Sequence, residues 1–162
     1  MVNITGSEEL VFQLKARGLR IASAESCTGG MIASAITDVS GASEIFDLGL
    51  VTYSNKTKEQ FLKVDACLLA EHGAVSEEVA KAMAQGLLAV SDADMALSVT
   101  GIAGPSGGTL EKPVGLVYIG LATKDELWAQ CHIFSGNRQK IRQQTVEAAL
   151  SLAERYLQRE LI

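Results

Sequence analysis

The chain of 162 residues has few of the side chains that hold metals or form disulfides. It contains three cysteines, Cys27, Cys67 and Cys131, and two histidines, His72 and His132. The cysteines are odd in number, widely spaced and without a CxxC pair, so they support neither a disulfide framework nor a thiolate metal site. We therefore interpret them as reduced thiols, as expected in a cytoplasmic protein.

The chain also lacks an excess of positive charge and any long apolar run. Its formal net charge is -5 at pH 7, whereas nucleic-acid-binding domains are usually basic. No apolar run approaches the ~18 residues of a membrane span, and residues 1–5 lack the basic-then-apolar layout of a signal peptide. These absences predict a soluble, cytoplasmic protein that binds neither nucleic acid nor a membrane.

The remaining composition is typical of a globular domain. Hydrophobic residues make up 48% of the chain, and a chain of this length buries about two-thirds of its unfolded surface on folding. We therefore expect a single domain spanning residues 1–162, without internal repeats or low-complexity tracts.

Short apolar runs typical of strands alternate with stretches of helical spacing. The predicted strands cover residues 19–24, 45–52, 95–99, 114–123 and 127–134. The predicted helices cover about residues 7–17, 30–37, 56–62 and 76–91, and the last begins near residue 137 and continues almost to the end of the chain. Residues 66–72 fit neither pattern clearly.

The order of these elements predicts the fold class. Lys124-Asp125-Glu126 joins the last two strands over so few residues that they must pair antiparallel. The sequence therefore predicts an α/β fold, namely a three-layer α/β/α sandwich with a mixed, mostly parallel sheet and a late antiparallel hairpin. Ligands of such sheets bind beyond the carboxyl ends of the strands, where the Ser26 turn, residues 53–58 and residues 100–108 would lie.

The turn from Ala24 to Gly30 carries hydroxyls and a thiol at the start of a helix. The first backbone N–H groups of a helix lack partners, so this turn could hold an anion or an oxyanion. Ser26 is a candidate nucleophile, although serine at a helix start is more often a cap. Cys27 is the rival because the helix dipole favours a thiolate, and its plainer interpretation is a small buried residue. The pattern leaves the choice open.

A serine nucleophile needs a base, and both histidines fit an ordinary packed or surface imidazole better than a base. Lys58 lies about one helical turn beyond the second strand and could point toward Ser26, but Lys56 competes for this role. A lysine base requires a pKa about 3 units below ~10.4. The hydroxyls that could relay a proton, or simply cap loops, are those of Tyr53, Thr28 and Thr100.

The last predicted helix begins with two arginines on one face. Arg138 and Arg142 are four residues apart, and their face continues into the apolar stripe of the helix. An arginine that faces the protein interior needs an anionic partner for its charge. The pattern favours equally a bound phosphate and a protein carboxylate such as that of Glu111 or Glu147.

Several motifs stand in order along the chain. They are Ala24-Glu25-Ser26-Cys27-Thr28-Gly29-Gly30, Val51-Thr52-Tyr53-Ser54-Asn55 with Lys58, His72-Gly73-Ala74-Val75-Ser76, Thr100-Gly101-Ile102-Ala103-Gly104-Pro105 and Lys112-Pro113-Val114-Gly115. Together they resemble the CinA C-terminal domain family, the nicotinamide-nucleotide amidases, over nearly the whole chain. The resemblance implies hydrolysis of the carboxamide of nicotinamide mononucleotide to nicotinate mononucleotide and ammonia, a step of pyridine nucleotide salvage, without a metal or other cofactor.

The resemblance also implies roles for the matching residues. Ser26 would be the nucleophile and Lys58 its base, because the lysine of the family motif stands three residues after the asparagine, which selects Lys58 over Lys56. Tyr53 and Thr100 would assist. The backbone of Thr28, Gly29 and Gly30 would hold the oxyanion, and the nucleotide would lie near Gly101, Gly104, Arg138 and Arg142.

Two further expectations complete the sequence analysis. The protein is expected to be a homo-oligomer that binds a small-molecule nucleotide. The alternative to an enzyme is a non-catalytic nucleotide-binding or regulatory module of the same fold.

Overall fold

The computed structural model describes residues 6–159. Residues 1–5, on which the signal-peptide argument rests, lie outside the described residues. The helices are α1 (Ser7–Arg17), α2 (Met31–Thr37), α3 (Asn55–Leu62), α4 (Ala66–His72), α5 (Glu77–Val90) and α6 (Arg138–Arg159), with a 3-10 turn at Ala42–Glu44. The strands are β1 (Ile21–Glu25), β2 (Phe46–Val51), β3 (Met95–Gly101), β4 (Leu116–Thr123) and β5 (Leu127–Ile133).

The stretch at residues 66–72, which the sequence pattern left ambiguous, is helix α4. The Asp65 side chain caps it by accepting a hydrogen bond from the Cys67 N–H at 2.6 Å. A carboxylate in this position satisfies one of the N–H groups that the first helical turn leaves unpaired. Local capping therefore defines a helix that hydrophobic spacing did not indicate.

The sheet has the strand order β2-β1-β3-β4-β5. Strand β1 lies between β2 and β3 and pairs parallel with both, whereas β4 pairs antiparallel with β3 and with β5. All residues of β1 are buried, as expected for a strand covered on both faces. The predicted mixed sheet with a late hairpin is confirmed.

Helices cover both faces of the sheet. One buried cluster joins α1, α2 and α6 to the sheet through residues such as Leu14, Ile36 and Leu150. The other joins α3, α4 and α5 to the opposite face, and Leu62 and Met83 belong to it. This arrangement is the predicted α/β/α sandwich.

Close packing of α5 against the end of α3 positions the region that follows β2. A Cβ atom at Gly86 would lie 1.8 Å from the backbone oxygen of Leu62, so only glycine allows α5 to approach so closely. Because β1, β2 and β3 are parallel, the segments after their carboxyl ends meet at one edge of the sheet. Helix α3 begins at that edge.

Between residues 6 and 159, no helix is both long and apolar enough to cross a bilayer.

Candidate active site

The amine of Lys58 is buried at the carboxyl edge of the sheet, and its residue is only 1% exposed. Helix α3 begins with a capping box in which the Ser54 side chain accepts from the Thr57 N–H. The first turn of this helix directs Lys58 inward, where Nζ donates to the Thr52 carbonyl at 2.7 Å and to Ser26 Oγ at 3.2 Å. The structure thus brings together the two side chains that the sequence analysis placed on separate loops.

Burial changes the acid–base properties of this amine. Removal from water disfavours the charged form and lowers the pKa of Lys58 from its ordinary value. Within the described part of the chain, no carboxylate forms an ion pair with Lys58 that would restore the charge. The amine is therefore closer to its neutral, basic form than a surface lysine.

Cys27, next to Ser26, lies in an environment that makes its thiol a poor nucleophile. Its residue is 6% exposed, and burial raises the pKa of the Cys27 thiol to about 11. A thiol is a good nucleophile only as the thiolate, which this site disfavours. The position fits the interpretation of a small buried residue better than that of a nucleophile.

A buried carboxylate organises the turn around Ser26, and the sequence analysis gave it no role. Glu25 is 1% exposed and accepts hydrogen bonds from Thr28 Oγ1 at 2.6 Å and from three backbone amides. Those amides are the N–H groups of Gly30 at 3.1 Å, Ile32 at 3.0 Å and Ala33 at 2.9 Å. The carboxylate fills the anion position at the start of α2.

This contact corrects the predicted oxyanion site. The Gly30 N–H donates to Glu25 and the Gly29 N–H to the Ser26 carbonyl at 3.1 Å, so neither amide is available to a substrate oxygen. The Thr28 hydroxyl is also bonded to Glu25. Among the described residues, the Thr28 N–H has no hydrogen-bond acceptor, but Thr28 is fully buried and does not line the cavity described below.

Arg142 also acts on the turn rather than on an anion. Its Nε donates to the Cys27 carbonyl at 3.0 Å, and its Nη2 donates to the Thr28 carbonyl at 2.9 Å. The predicted alternatives for this residue were a phosphate and a carboxylate such as that of Glu111 or Glu147. The structure instead uses the planar guanidinium to bridge two successive carbonyls.

Arg138 lies at the exposed side of the site. Its Nη1 donates to the Gly104 carbonyl at 2.9 Å and its Nη2 to the Tyr53 hydroxyl at 3.1 Å. Neither of these partners is an anion, and the residue is exposed. Of the two arginines, Arg138 is the one that can also meet a ligand.

A cavity of about 240 Å³ opens at this edge. The predicted site residues that line it are Ser26, Lys58, Tyr53, Thr100, Gly101 and Arg138, and the rival nucleophile Cys27 lines it as well. The predicted residues that do not line it are Thr28, Gly29, Gly30, Gly104 and Arg142. The Thr100 hydroxyl donates to the Ala74 carbonyl at 2.7 Å, which ties β3 to the segment between α4 and α5.

The cavity also has lining residues that the sequence analysis missed, namely Asn55, Ala74, Val75 and Ala103. All of them belong to the quoted motifs, so the signal was present without an assigned role. Neither histidine lines the cavity. His72 lies 3.6 Å from Glu78, and His132 stacks on Phe134. Among residues 6–159, no group of three or more His, Cys, Asp or Glu side chains could hold a metal ion.

Comparison with known proteins gives consistent results across sequence and structure. A model of the CinA C-terminal domain matches residues 4–157. A putative competence-damage inducible protein of Caldanaerobacter subterraneus subsp. tengcongensis is 51% identical over 152 residues, which are 93% of this chain and 37% of the relative. A CinA-like protein of Citrifermentans bemidjiense is 52% identical over 150 residues, which are 93% of this chain and 36% of the relative. The chain thus spans little more than a third of these relatives.

Solved structures match over nearly their whole length. The competence/damage inducible protein CihA of Agrobacterium tumefaciens is 40% identical with a TM-score of 0.90, and the match covers 94% of this chain and 96% of that one. A CinA superfamily protein of Klebsiella pneumoniae is 33% identical with a TM-score of 0.93, over 98% of this chain and 99% of that one. These structures share the fold.

The burial of Cys27 predicts selective alkylation. Iodoacetamide at mildly alkaline pH should label the exposed Cys67 and Cys131 in the native protein, and it should spare Cys27 because that thiol is buried and protonated. Peptide mass spectrometry measures the labelling, and the unfolded protein, in which all three thiols react, is the control. Equal labelling rates for Cys27 and Cys67 in the native protein would contradict this description.

The contacts of Arg142 predict a structural cost for its removal. Arg142→Ala leaves two carbonyls of the Ser26 turn without their donor, so the free energy of unfolding should fall by about 2 kcal/mol. Chemical denaturation measures this loss. Arg138→Ala is the matched control, since Arg138 is exposed and its contacts lie at the rim. An equal and small effect of the two substitutions would show that Arg142 does not hold the turn.

Proposed function

This chain belongs to the CinA C-terminal domain family, and we propose that it is an amidohydrolase acting on nicotinamide mononucleotide. The products would be nicotinate mononucleotide and ammonia. One observation carries the proposal: the buried amine of Lys58 lies 3.2 Å from Ser26 Oγ within a cavity large enough for a small aromatic carboxamide. No metal or organic cofactor is needed for the reaction as proposed.

The contacts of the amine support its assignment as a base. A neutral amine carries two N–H groups and one lone pair. The Thr52 carbonyl, at 2.7 Å, accepts one N–H and fixes the orientation of Nζ. The lone pair can then accept the proton of the Ser26 hydroxyl, which reverses the donor and acceptor of the 3.2 Å contact.

The proposed reaction passes through an acyl-enzyme. Ser26 Oγ attacks the carboxamide carbon while Lys58 takes the hydroxyl proton, and the resulting ammonium returns that proton to the leaving nitrogen. Ammonia departs and leaves an ester on Ser26. Lys58, again neutral, then removes a proton from water, and the hydroxide attacks the ester carbon. The ester bond to Ser26 breaks, the Lys58 ammonium returns its proton to Ser26 Oγ, and the carboxylic acid is released.

The walls of the cavity support a planar aromatic substrate with a phosphate at its open side. Ala74, Val75 and Ala103 provide apolar surface next to the polar end, as is typical of small-molecule sites. Arg138 is exposed at the rim and is the residue that we assign to the phosphate. Arg142 is not assigned to it, because its guanidinium is bonded to the Ser26 turn.

Ammonia release from nicotinamide mononucleotide tests the proposal. The wild-type protein should release it, and Ser26→Ala and Lys58→Ala should lower kcat by about 10²- to 10⁴-fold or more. Lys58→Arg should fail as well, because a guanidinium stays protonated and cannot act as a base. Lys56→Ala is the matched control on the exposed side of α3 and should retain the activity.

Two outcomes would contradict the proposal in different ways. Binding of the nucleotide without ammonia release would indicate the alternative, a non-catalytic nucleotide-binding or regulatory module. Release that survives Ser26→Ala would show that another group is the nucleophile.

A further inference from the structure

The two edges of the sheet differ in how well they are protected against pairing with another strand. Edge strand β2 contains the charged Asp47 and the glycine Gly49, and its register with β1 shifts between Ile21 and Ser23. Charges and irregularities of this kind hinder pairing with a further strand. Edge β2 is therefore a protected edge.

Edge strand β5 has none of these features. Its sequence from Leu127 to Ile133 contains no charged residue, no proline and no glycine, and its register with β4 is continuous from Leu116↔Ile133 to Ala122↔Leu127. A regular, uncharged edge strand is a template for strand addition.

The hydrogen bonds to β4 show which backbone groups of β5 face outward. The Thr123 N–H donates to the Glu126 carbonyl at 2.8 Å, and the Phe134 N–H donates to the Gly115 carbonyl at 2.9 Å. In an antiparallel ladder these groups alternate along the strand. The even-numbered residues of β5 therefore bond to β4, and the backbone groups of Leu127, Ala129, Cys131 and Ile133 point to the open edge.

We propose that β5 pairs antiparallel with β5 of a second copy of this chain, about a two-fold axis at Gln130. In that register Leu127 pairs with Ile133 and Ala129 with Cys131 of the second copy. All four residues present outward backbone groups, so the N–H and C=O groups of the edge find partners. The two sheets then form one continuous sheet. This inference is independent of the proposed function.

The side chains of β5 support a second copy as the partner. Leu127 is 39% exposed and Ile133 is 70% exposed, and the proposed pairing places these two apolar side chains against each other. On the other face, Trp128 meets His132 of the second copy, an aromatic pair of the kind that stabilises adjacent strands. The strand is thus complementary to itself when it is reversed.

Charge complementarity extends the match beyond the strand. The same register places Asp125, in the β4–β5 hairpin, opposite Ser135 of the second copy, next to the start of α6. The first turn of that helix carries the exposed Lys140, whereas Arg138 is directed toward Gly104 and Tyr53 at the cavity. Asp125 of each copy therefore lies beside a helix start that carries a positive side chain.

An introduced cysteine at the axis tests both the surface and the register. In a background of Cys67→Ser and Cys131→Ser, Gln130→Cys should form an intermolecular disulfide under mild oxidation. The Cα atoms of this non-hydrogen-bonded pair would lie about 4.5 Å apart, within disulfide range. His132→Cys, on the same face, is the matched control and should stay reduced, because its copies would be roughly 13 Å apart.

Sedimentation equilibrium of the unmodified protein should give twice the mass of one chain, whereas the Ala129→Pro variant should give the mass of a single chain. The Ala129 N–H points to the open edge, so proline removes no bond to β4. Ile133→Lys, at an exposed position, is the second variant if Ala129→Pro does not fold. A monomeric wild-type protein would overturn the proposal. Equal cross-linking of Gln130→Cys and His132→Cys, or a dimer that survives both edge variants, would overturn it as well.

Discussion

The arrangement at the carboxyl edge of the sheet depends on one costly placement, a lysine amine removed from water. Lys58 is 1% exposed, and its Nζ is held by the Thr52 carbonyl and by Ser26 Oγ rather than by a carboxylate. Burial of an ammonium group is unfavourable, so this environment lowers the pKa of the Lys58 amine. The base that we propose for the Ser26 hydroxyl requires a shift in this direction.

The Ser26 turn is held from two sides by buried or half-buried charges that bond to backbone groups instead of to each other. Glu25 accepts hydrogen bonds from the start of α2, and Arg142 donates to the Cys27 and Thr28 carbonyls. Hydrogen bonds to charged groups are stronger than those between neutral groups. The turn that carries Ser26 is therefore fixed before any ligand binds, which suits a nucleophile whose distance to Lys58 must stay within a hydrogen bond.

Strand periodicity and topology made the fold predictable, and they place the Ser26 turn near the start of α3, because segments that follow neighbouring parallel strands meet at one edge. The choice of Lys58 over Lys56 came from the family motif and not from the pattern. The roles of Glu25 and Arg142 were not predictable from local pattern. In the sequence, Glu25 has the pattern of a polar residue at the end of a strand. Its burial depends on backbone N–H donors, those of Gly30 and Ala33, that come together only when α2 folds. In the sequence, Arg142 has the pattern of an anion-binding residue. Its actual partners are backbone carbonyls more than a hundred residues away in sequence, which local pattern does not indicate. Ala74 and Val75 have small apolar side chains that suggest no chemical role, and a hydrogen bond from the Thr100 hydroxyl to the Ala74 carbonyl holds their segment at the cavity.

Whether Lys58 serves Ser26 as a neutral amine, as we propose, can be measured directly. In protein labelled with ¹³C-lysine, the Cε resonance of each lysine reports its ionisation during an NMR titration with pH, and Lys58→Met assigns the signal of Lys58. We expect Lys58 to titrate at a lower pH than the exposed lysines, since burial lowers its pKa. A Lys58 resonance that titrates together with those of Lys56 and Lys124 would contradict it.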